Sequence, residues 1–130
     1  METAIRRAPL RVLVVDDDQE FYALLAALLE SQGYEVERAN HALAAFKLSQ
    51  RRHYELFIID ARIPILLGMR LAEWLKEQIA ASRIVLISAF VDESLRRCAE
   101  HLAVPLLIKP FTNESLLALV GQSIGAVSYN

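Results

Sequence analysis

Five short runs rich in Val, Ile and Leu alternate along the chain with stretches whose apolar residues recur at helical spacing. Short apolar runs are typical of strands, and this alternation predicts a parallel sheet with helices on both faces. No repeat, linker or low-complexity segment interrupts the pattern. The predicted strands are LRVLVV (10–15), YEVERA (34–39), ELFII (55–59), RIVLI (83–87) and VPLLI (104–108).

Two of these runs have the features of edge strands. YEVERA carries two glutamates and an arginine, whereas the central strands of a parallel sheet are apolar throughout. Pro105 lacks an N–H group and therefore belongs on an edge or at the first residue of a strand. With these two strands at the edges and right-handed crossovers, we predict a doubly wound sheet of order 2-1-3-4-5.

The helical stretches carry start and stop signals in several places. Asp18 is placed to cap the first helix, and Gly33 to end it. Asn40 is the expected N-cap of the second helix, and Thr112 or Asn113 that of the fifth.

The composition is that of one folded domain, because 55% of the 130 residues are hydrophobic and 23% are charged. We predict this domain over residues 10–124, between an N-terminal extension (1–9) and a C-terminal tail (125–130). The formal net charge of -2 argues against direct nucleic-acid binding, which needs basic patches. The chain has one cysteine and no apolar run of the ~18 residues that a membrane span requires, so we expect a cytoplasmic location.

The polar residues that follow the predicted strands define a candidate site. In sheets of this kind, ligands bind beyond the carboxyl ends of the strands. Three adjacent aspartates (16–18) follow the first strand, and Asp60 follows the third. Ser88 follows the fourth strand and Lys109 the fifth. We therefore expect carboxylates, a hydroxyl and an amine to meet on one rim.

Carboxylates this close repel one another unless a positive charge lies among them. Oxygen ligands suit a hard ion such as Mg²⁺, so we expect Asp16 and Asp17 to hold this ion together with Asp60. Lys109 would balance the remaining charge, and a carboxylate beside a metal and a lysine is a reasonable nucleophile toward phosphorus. Each residue alone also has an ordinary interpretation as a helix cap, a turn residue or a solvated lysine.

Five short motifs stand in order along the chain: VVDDD (14–18), IID (58–60), Pro64 with Gly68, LISA (86–89) and IKPF (108–111). In this order and at these intervals, they resemble the receiver domains of two-component response regulators. The resemblance covers about residues 10–124 and implies a (βα)5 flavodoxin-like fold.

The resemblance implies a role for each acidic residue. Asp60 matches the phosphoacceptor, which takes a phosphoryl group from a histidine kinase or a histidine phosphotransfer protein. Asp17 matches the direct Mg²⁺ ligand, and Asp16 a ligand acting mainly through water. The backbone carbonyl of Arg62 would complete the protein's share of the coordination.

The resemblance also covers three residues around the acceptor. Ser88 matches a hydroxyl that turns toward the phosphoryl group, and Lys109 matches a lysine that pairs with it. The Lys109–Pro110 bond is commonly cis in this family. Ala89 matches a small residue that leaves room for the phosphoryl group.

Several positions depart from the usual pattern of the family, among them Leu102-Ala103, where Gly-Ala is usual before the last strand. Leu67 replaces an acidic residue before Gly68, and Leu106 stands where an aromatic ring often changes rotamer on activation. Arg62 places a long cation two residues after the acceptor. We hypothesise that Arg62 slows loss of the phosphate by pairing with it or by crowding the attacking water.

The resemblance therefore predicts a phosphorelay switch rather than an enzyme. Its output surface would be formed by the fourth helix, the fifth strand and the fifth helix, acting on a downstream protein or a fused effector.

Three other functions remain open at this stage. A pseudo-receiver would keep the fold as a docking module without phosphorylation. A phosphatase of the haloacid dehalogenase type would use Asp16-x-Asp18, but it needs an acidic pair after the lysine, where only Glu114 follows. A flavin-binding domain would place a phosphate where three aspartates repel it.

Overall fold

The computed structural model describes residues 9–63, 68–79 and 83–124. Strands and helices alternate through these ranges, which confirms the predicted βα pattern. The elements are β1 (Arg11–Val15), α1 (Gln19–Ser31), β2 (Glu35–Ala39), α2 (Ala42–Arg51), β3 (Leu56–Asp60), α3 (Gly68–Gln78), β4 (Ile84–Ser88), α4 (Glu93–Leu102), β5 (Leu106–Ile108) and α5 (Asn113–Ile124).

The five strands form one parallel sheet of order β2-β1-β3-β4-β5, as predicted. In the register of the sheet, Val15 lies beside Ile59, and Asp60 beside Ile87. Ser88 lies beside Ile108 at the other side of β4. The carboxyl ends of the strands therefore meet at one edge.

Alternate side chains of the sheet enter two separate cores. Leu13 points into the core covered by α2, α3 and α4, whereas Val14 points into the core covered by α1 and α5. Both side chains are fully buried, and burial of one such side chain stabilises the fold by roughly 1.5–3 kcal/mol. Because both faces are covered, the central strands need the unbroken apolar runs that the sequence shows.

The two outer strands are more exposed, as an edge position requires. Most of β2 is only partly buried, and Glu35 is exposed. Pro105 lies just before β5, where its carbonyl accepts a hydrogen bond from the Leu86 N–H at 3.0 Å. Proline is tolerated here because it precedes the first residue of the strand, Leu106. Within the described ranges, no helix has the length and hydrophobicity needed to cross a bilayer.

Helix ends confirm three of the predicted signals and correct one. Asp18 caps α1, Gly33 follows α1 with φ of 94°, and Thr112 accepts a hydrogen bond from the Ser115 N–H at 3.0 Å. The prediction of Asn40 as the N-cap of α2 is wrong. Strand pairing continues to Ala39, so the helix starts later, and the cap is His41, whose Nδ1 accepts from the Ala44 N–H.

Gly68, at the start of α3, lies directly against the end of β3. A Cβ atom here would lie 2.1 Å from the carbonyl oxygen of Asp60 and 2.8 Å from Cγ2 of Ile59. The backbone of α3 can approach Asp60 this closely only because glycine has no side chain.

We expect Gly68→Ala to lower the free energy of unfolding by about 3 kcal/mol, since the new methyl group meets backbone rather than a movable side chain. The matched control is Gly121→Ala in α5, where a Cβ meets nothing within 4 Å. Relief of glycine's entropy cost should make this control more stable by about 0.5–1 kcal/mol. Urea denaturation measures both changes, and equal stability of the two variants would contradict the close approach.

Candidate functional site

Four polar residues from four different strands meet at the carboxyl edge of the sheet. Asp16 directly follows β1, Asp60 ends β3, Ser88 ends β4, and Lys109 directly follows β5. Asp16 and Ser88 are fully buried, whereas Asp60 and Lys109 are partly accessible. The structure therefore brings together the residues that the strand ends predicted.

The ammonium group of Lys109 bridges the two carboxylates. Its Nζ lies 3.3 Å from Oδ2 of Asp16 and 3.2 Å from Oδ2 of Asp60. Burial alone would lower the pKa of Lys109, but Asp60 and Asp16 outweigh it, and the pKa of Lys109 is raised. The lysine is therefore a fixed positive charge beside the predicted acceptor.

An aromatic side chain of α1, which the sequence did not indicate as part of the site, also contacts the lysine. The Nζ of Lys109 lies 3.9 Å from the centroid of the Phe21 ring, which favours the charged form. Phe111 packs edge-on against Phe21 at 5.9 Å. The peptide bond between Lys109 and Pro110 is cis, as expected.

Asp16 is a buried carboxylate in need of positive charge. Burial raises its pKa, and the neighbouring Asp60 adds to the rise, although the Asp18 N–H and Lys109 lower it. The Asp18 N–H donates to Oδ1 of Asp16 at 2.9 Å. A cation beside this group would stabilise its ionised form.

Asp16, Asp17 and Asp60 form an acidic group that could hold a metal ion. One carboxylate oxygen from each lies within 4.8 Å of the others. The exposure of Asp17 leaves this side open to water, which suits Mg²⁺ because that ion retains several water ligands. The three oxygens therefore fit the ion that the sequence predicted.

Ser88 and Ala89 lie on the other side of the acceptor. The Ser88 hydroxyl donates to the Phe90 carbonyl oxygen at 2.6 Å and accepts from the Phe90 N–H at 3.2 Å. Its hydroxyl is thus turned toward the loop between β4 and α4. Ala89 lines an open depression of about 380 Å³ together with Lys109.

The backbone and the side chain of Arg62 point to different partners. Its N–H donates to Oδ1 of Asp60 at 2.9 Å. Its guanidinium instead lies 3.1 Å from Oδ2 of Asp92 and packs over the Phe90 ring. The sequence predicted this cation beside the site but not its pairing with Asp92, although an aspartate just before a helical stretch is a cap signal.

Leu106, another departure from the family pattern, is the first residue of β5. Leu106 is partly buried and packs against the core that also contains Leu95 of α4. Pro64 and Leu67, two positions used in the sequence interpretation, lie outside the described residues.

Comparison with known proteins identifies the family. The model of the response regulator receiver domain matches residues 12–121. The polar-differentiation response regulator DivK of Brucella ovis is 26% identical over 120 residues, covering 86% of this chain and 97% of its own.

Solved structures agree with the topology. A CheY-like receiver domain protein from Methanospirillum hungatei has a TM-score of 0.87 at 21% identity, covering 91% of this chain and 95% of its own. The signal receiver domain of an HD domain-containing protein from Pseudomonas fluorescens has a TM-score of 0.86 at 25% identity, with coverage of 92% and 97%. The chain therefore belongs to the response regulator receiver domain family.

Proposed function

We propose that Asp60 accepts a phosphoryl group from a phosphohistidine of a histidine kinase or a histidine phosphotransfer protein. The observation that carries this proposal is the group of Asp60, Asp16 and Lys109, with Asp17 within reach of a shared ion. Belonging to the receiver family supports the reaction class, and the side-chain contacts support the role we propose for each residue.

In the proposed reaction, a carboxylate oxygen of Asp60 attacks the phosphorus atom. A new P–O bond forms as the P–N bond to the donor histidine breaks, and the electron pair of that bond passes to the imidazole nitrogen. The Arg62 N–H and Lys109 Nζ hold the two oxygens of Asp60, so the nucleophile is oriented before the donor arrives. Lys109 then stabilises negative charge on the phosphoryl oxygens.

We propose that Mg²⁺ is held by Asp16, Asp17, Asp60 and the backbone carbonyl of Arg62. When bound, Mg²⁺ supplies positive charge for the phosphoryl oxygens. The fit rests on three carboxylate oxygens within 4.8 Å of one another, with an exposed side that water can reach.

The phosphoryl group adds about two negative charges to the site. We propose that this charge draws the Ser88 hydroxyl toward it and shifts the population of the loop before α4. The output surface would be α4, β5 and α5, facing a downstream protein or a fused effector in the cytoplasm. The domain would then act as a switch and not as an enzyme with a separate substrate.

A pseudo-receiver that docks without phosphorylation is the second candidate. Leu106 favours it slightly, because no aromatic ring at that position can follow the Ser88 hydroxyl. The complete set of Asp16, Asp17, Asp60 and Lys109 favours phosphorylation more strongly. The family match weighs against the phosphatase and flavin interpretations.

Incubation with Mg²⁺ and phosphoramidate or acetyl phosphate should add one phosphoryl group to the chain, measured by intact mass. Asp60→Asn should gain none, because an amide is not a nucleophile toward phosphorus. EDTA should prevent the gain. An unmodified wild-type chain, or a gain that persists in Asp60→Asn, would contradict the proposal.

A matched pair of substitutions separates metal binding from folding in the same assay. Asp17→Asn should slow phosphorylation by about tenfold or more, since it removes a charged ligand from an exposed position. Asp18→Asn keeps an N-cap of equal quality and should leave the rate unchanged.

Arg62→Asn should shorten the lifetime of the phosphorylated protein by about three- to tenfold, because it removes a charged donor near the phosphoryl oxygens. The fraction phosphorylated is followed by mass spectrometry after removal of the donor. Arg70→Asn, at an exposed position on α3, is the control. An unchanged lifetime in Arg62→Asn would refute the role of this arginine.

A further inference from the structure

The guanidinium of Arg62 ties the loop after β3 to the start of α4. Its Nη2 lies 3.1 Å from Oδ2 of Asp92 and 3.5 Å from the carbonyl oxygen of Phe90. The same guanidinium lies 5.5 Å from the centroid of the Phe90 ring. Three kinds of contact therefore hold one side chain against one short loop.

Asp92 uses its two carboxylate oxygens for two purposes. Oδ1 accepts from the Leu95 N–H at 2.9 Å and caps α4, while Oδ2 pairs with Arg62. The Leu95 N–H and Arg62 both lower the pKa of Asp92. The N-terminus of α4 is thus connected through one carboxylate to the loop that carries the acceptor.

The carbonyl oxygen of Phe90 connects this tie to the predicted switch hydroxyl. It accepts from Ser88 Oγ at 2.6 Å and from Arg62 Nη2 at 3.5 Å. The Phe90 side chain is 65% exposed, so its ring faces water on one side and the guanidinium on the other. Two donors near the predicted phosphoacceptor, Asp60, therefore hold the loop between β4 and α4 through one atom, the carbonyl oxygen of Phe90.

We propose that the side chain of Arg62, acting with the Ser88 switch proposed above, forms a latch that holds the loop between β4 and α4 in its unphosphorylated arrangement, and that phosphorylation of Asp60 opens it. The name "latch" denotes the contacts of Arg62 and Ser88 with Phe90 and Asp92. This inference rests on the proposed function. It assigns the coupling between acceptor and helix to side chains of this chain rather than to a ring at Leu106.

The latch would open because the phosphoryl group competes with Phe90 and Asp92 for the two donors. The Ser88 hydroxyl has a single proton, so it cannot donate to Phe90 and to a phosphoryl oxygen at once. The base of the Arg62 side chain already lies at the acceptor, because the Arg62 N–H binds Asp60. A phosphoryl group offers about two negative charges and three acceptor oxygens against the single charge of Asp92.

The ion pair between Arg62 and Asp92 is weak enough for the phosphoryl group to break it. The side chains of Arg62 and Asp92 are 35% and 41% exposed, and ion pairs with such access to water are only modestly stabilising. When both donors turn to the phosphoryl group, the Phe90 ring and the first turn of α4 lose these contacts. By linkage, a latch that phosphorylation opens must also oppose phosphorylation.

The test compares Arg62→Gln, Asp92→Asn and the double variant with the wild-type chain. Asparagine still caps α4, so Asp92→Asn removes the charge and keeps the helix start. In the unphosphorylated protein, amide hydrogen exchange in the first turn of α4 should rise about two- to fivefold in each single variant. The double variant should show no further rise, because both changes break the same contact.

Phosphorylation by phosphoramidate should accelerate by a similar factor of about two- to fivefold in Asp92→Asn. The control is Glu93→Gln, which breaks the exposed pair with Arg97 on the same helix. It should leave both the phosphorylation rate and the exchange around Phe90 unchanged. In the wild-type chain, phosphorylation itself should raise exchange at Phe90 and in the first turn of α4.

Additive effects of the two substitutions, or no change in either single variant, would overturn the latch. A wild-type chain that is phosphorylated without faster exchange at the start of α4 would also overturn it while leaving the proposed function intact. A wild-type chain that takes no phosphoryl group would refute the proposed function and, with it, opening by phosphorylation. Exchange in the unphosphorylated variants would still show whether the contact holds the loop.

Discussion

The ammonium of Lys109 between the carboxylates of Asp16 and Asp60 is the interaction on which the site depends. Two carboxylates at a largely buried sheet edge repel each other, and removal of a single charge partner from such a group is strongly destabilising. The lysine lies 93 and 49 residues from its two partners along the chain. Only the fold brings these charges together, so the site forms only when the strands take the observed order.

The backbone around the acidic residues is held in place independently of the lysine. The Asp16 N–H donates to the carbonyl oxygen of Ala39 at 3.1 Å, and the Asp16 carbonyl accepts from Nε of Arg38. On the other side, Gly68 lets the backbone of α3 approach Asp60 closely. These contacts restrict where the two carboxylates can move, which is what a nucleophile and its counter-charge require.

The sequence predicted the fold and the inner part of the site because each rests on a local signal. Pro105 and the charges of YEVERA marked the edges of the sheet, and the polar residues after apolar runs marked the rim.

The side-chain partners of Arg62 and Phe21 could not be predicted in this way. The pairing of Arg62 with Asp92 depends on how the segments after two different strands pack, and the position of Phe21 under Lys109 depends on α1 meeting the end of β5. The cap of α2 was misplaced because the pairing of β2, a long-range contact, decides where the strand ends.

Localisation of the phosphoryl group within the chain identifies the nucleophile. Borohydride reduction of the phosphorylated protein converts an aspartyl phosphate to homoserine, which tandem mass spectrometry assigns to a residue. We expect homoserine at position 60 alone, since Asp60 is the partly accessible carboxylate beside Lys109. Homoserine at position 16 would contradict it, because Asp16 would then be the nucleophile, as the phosphatase interpretation requires.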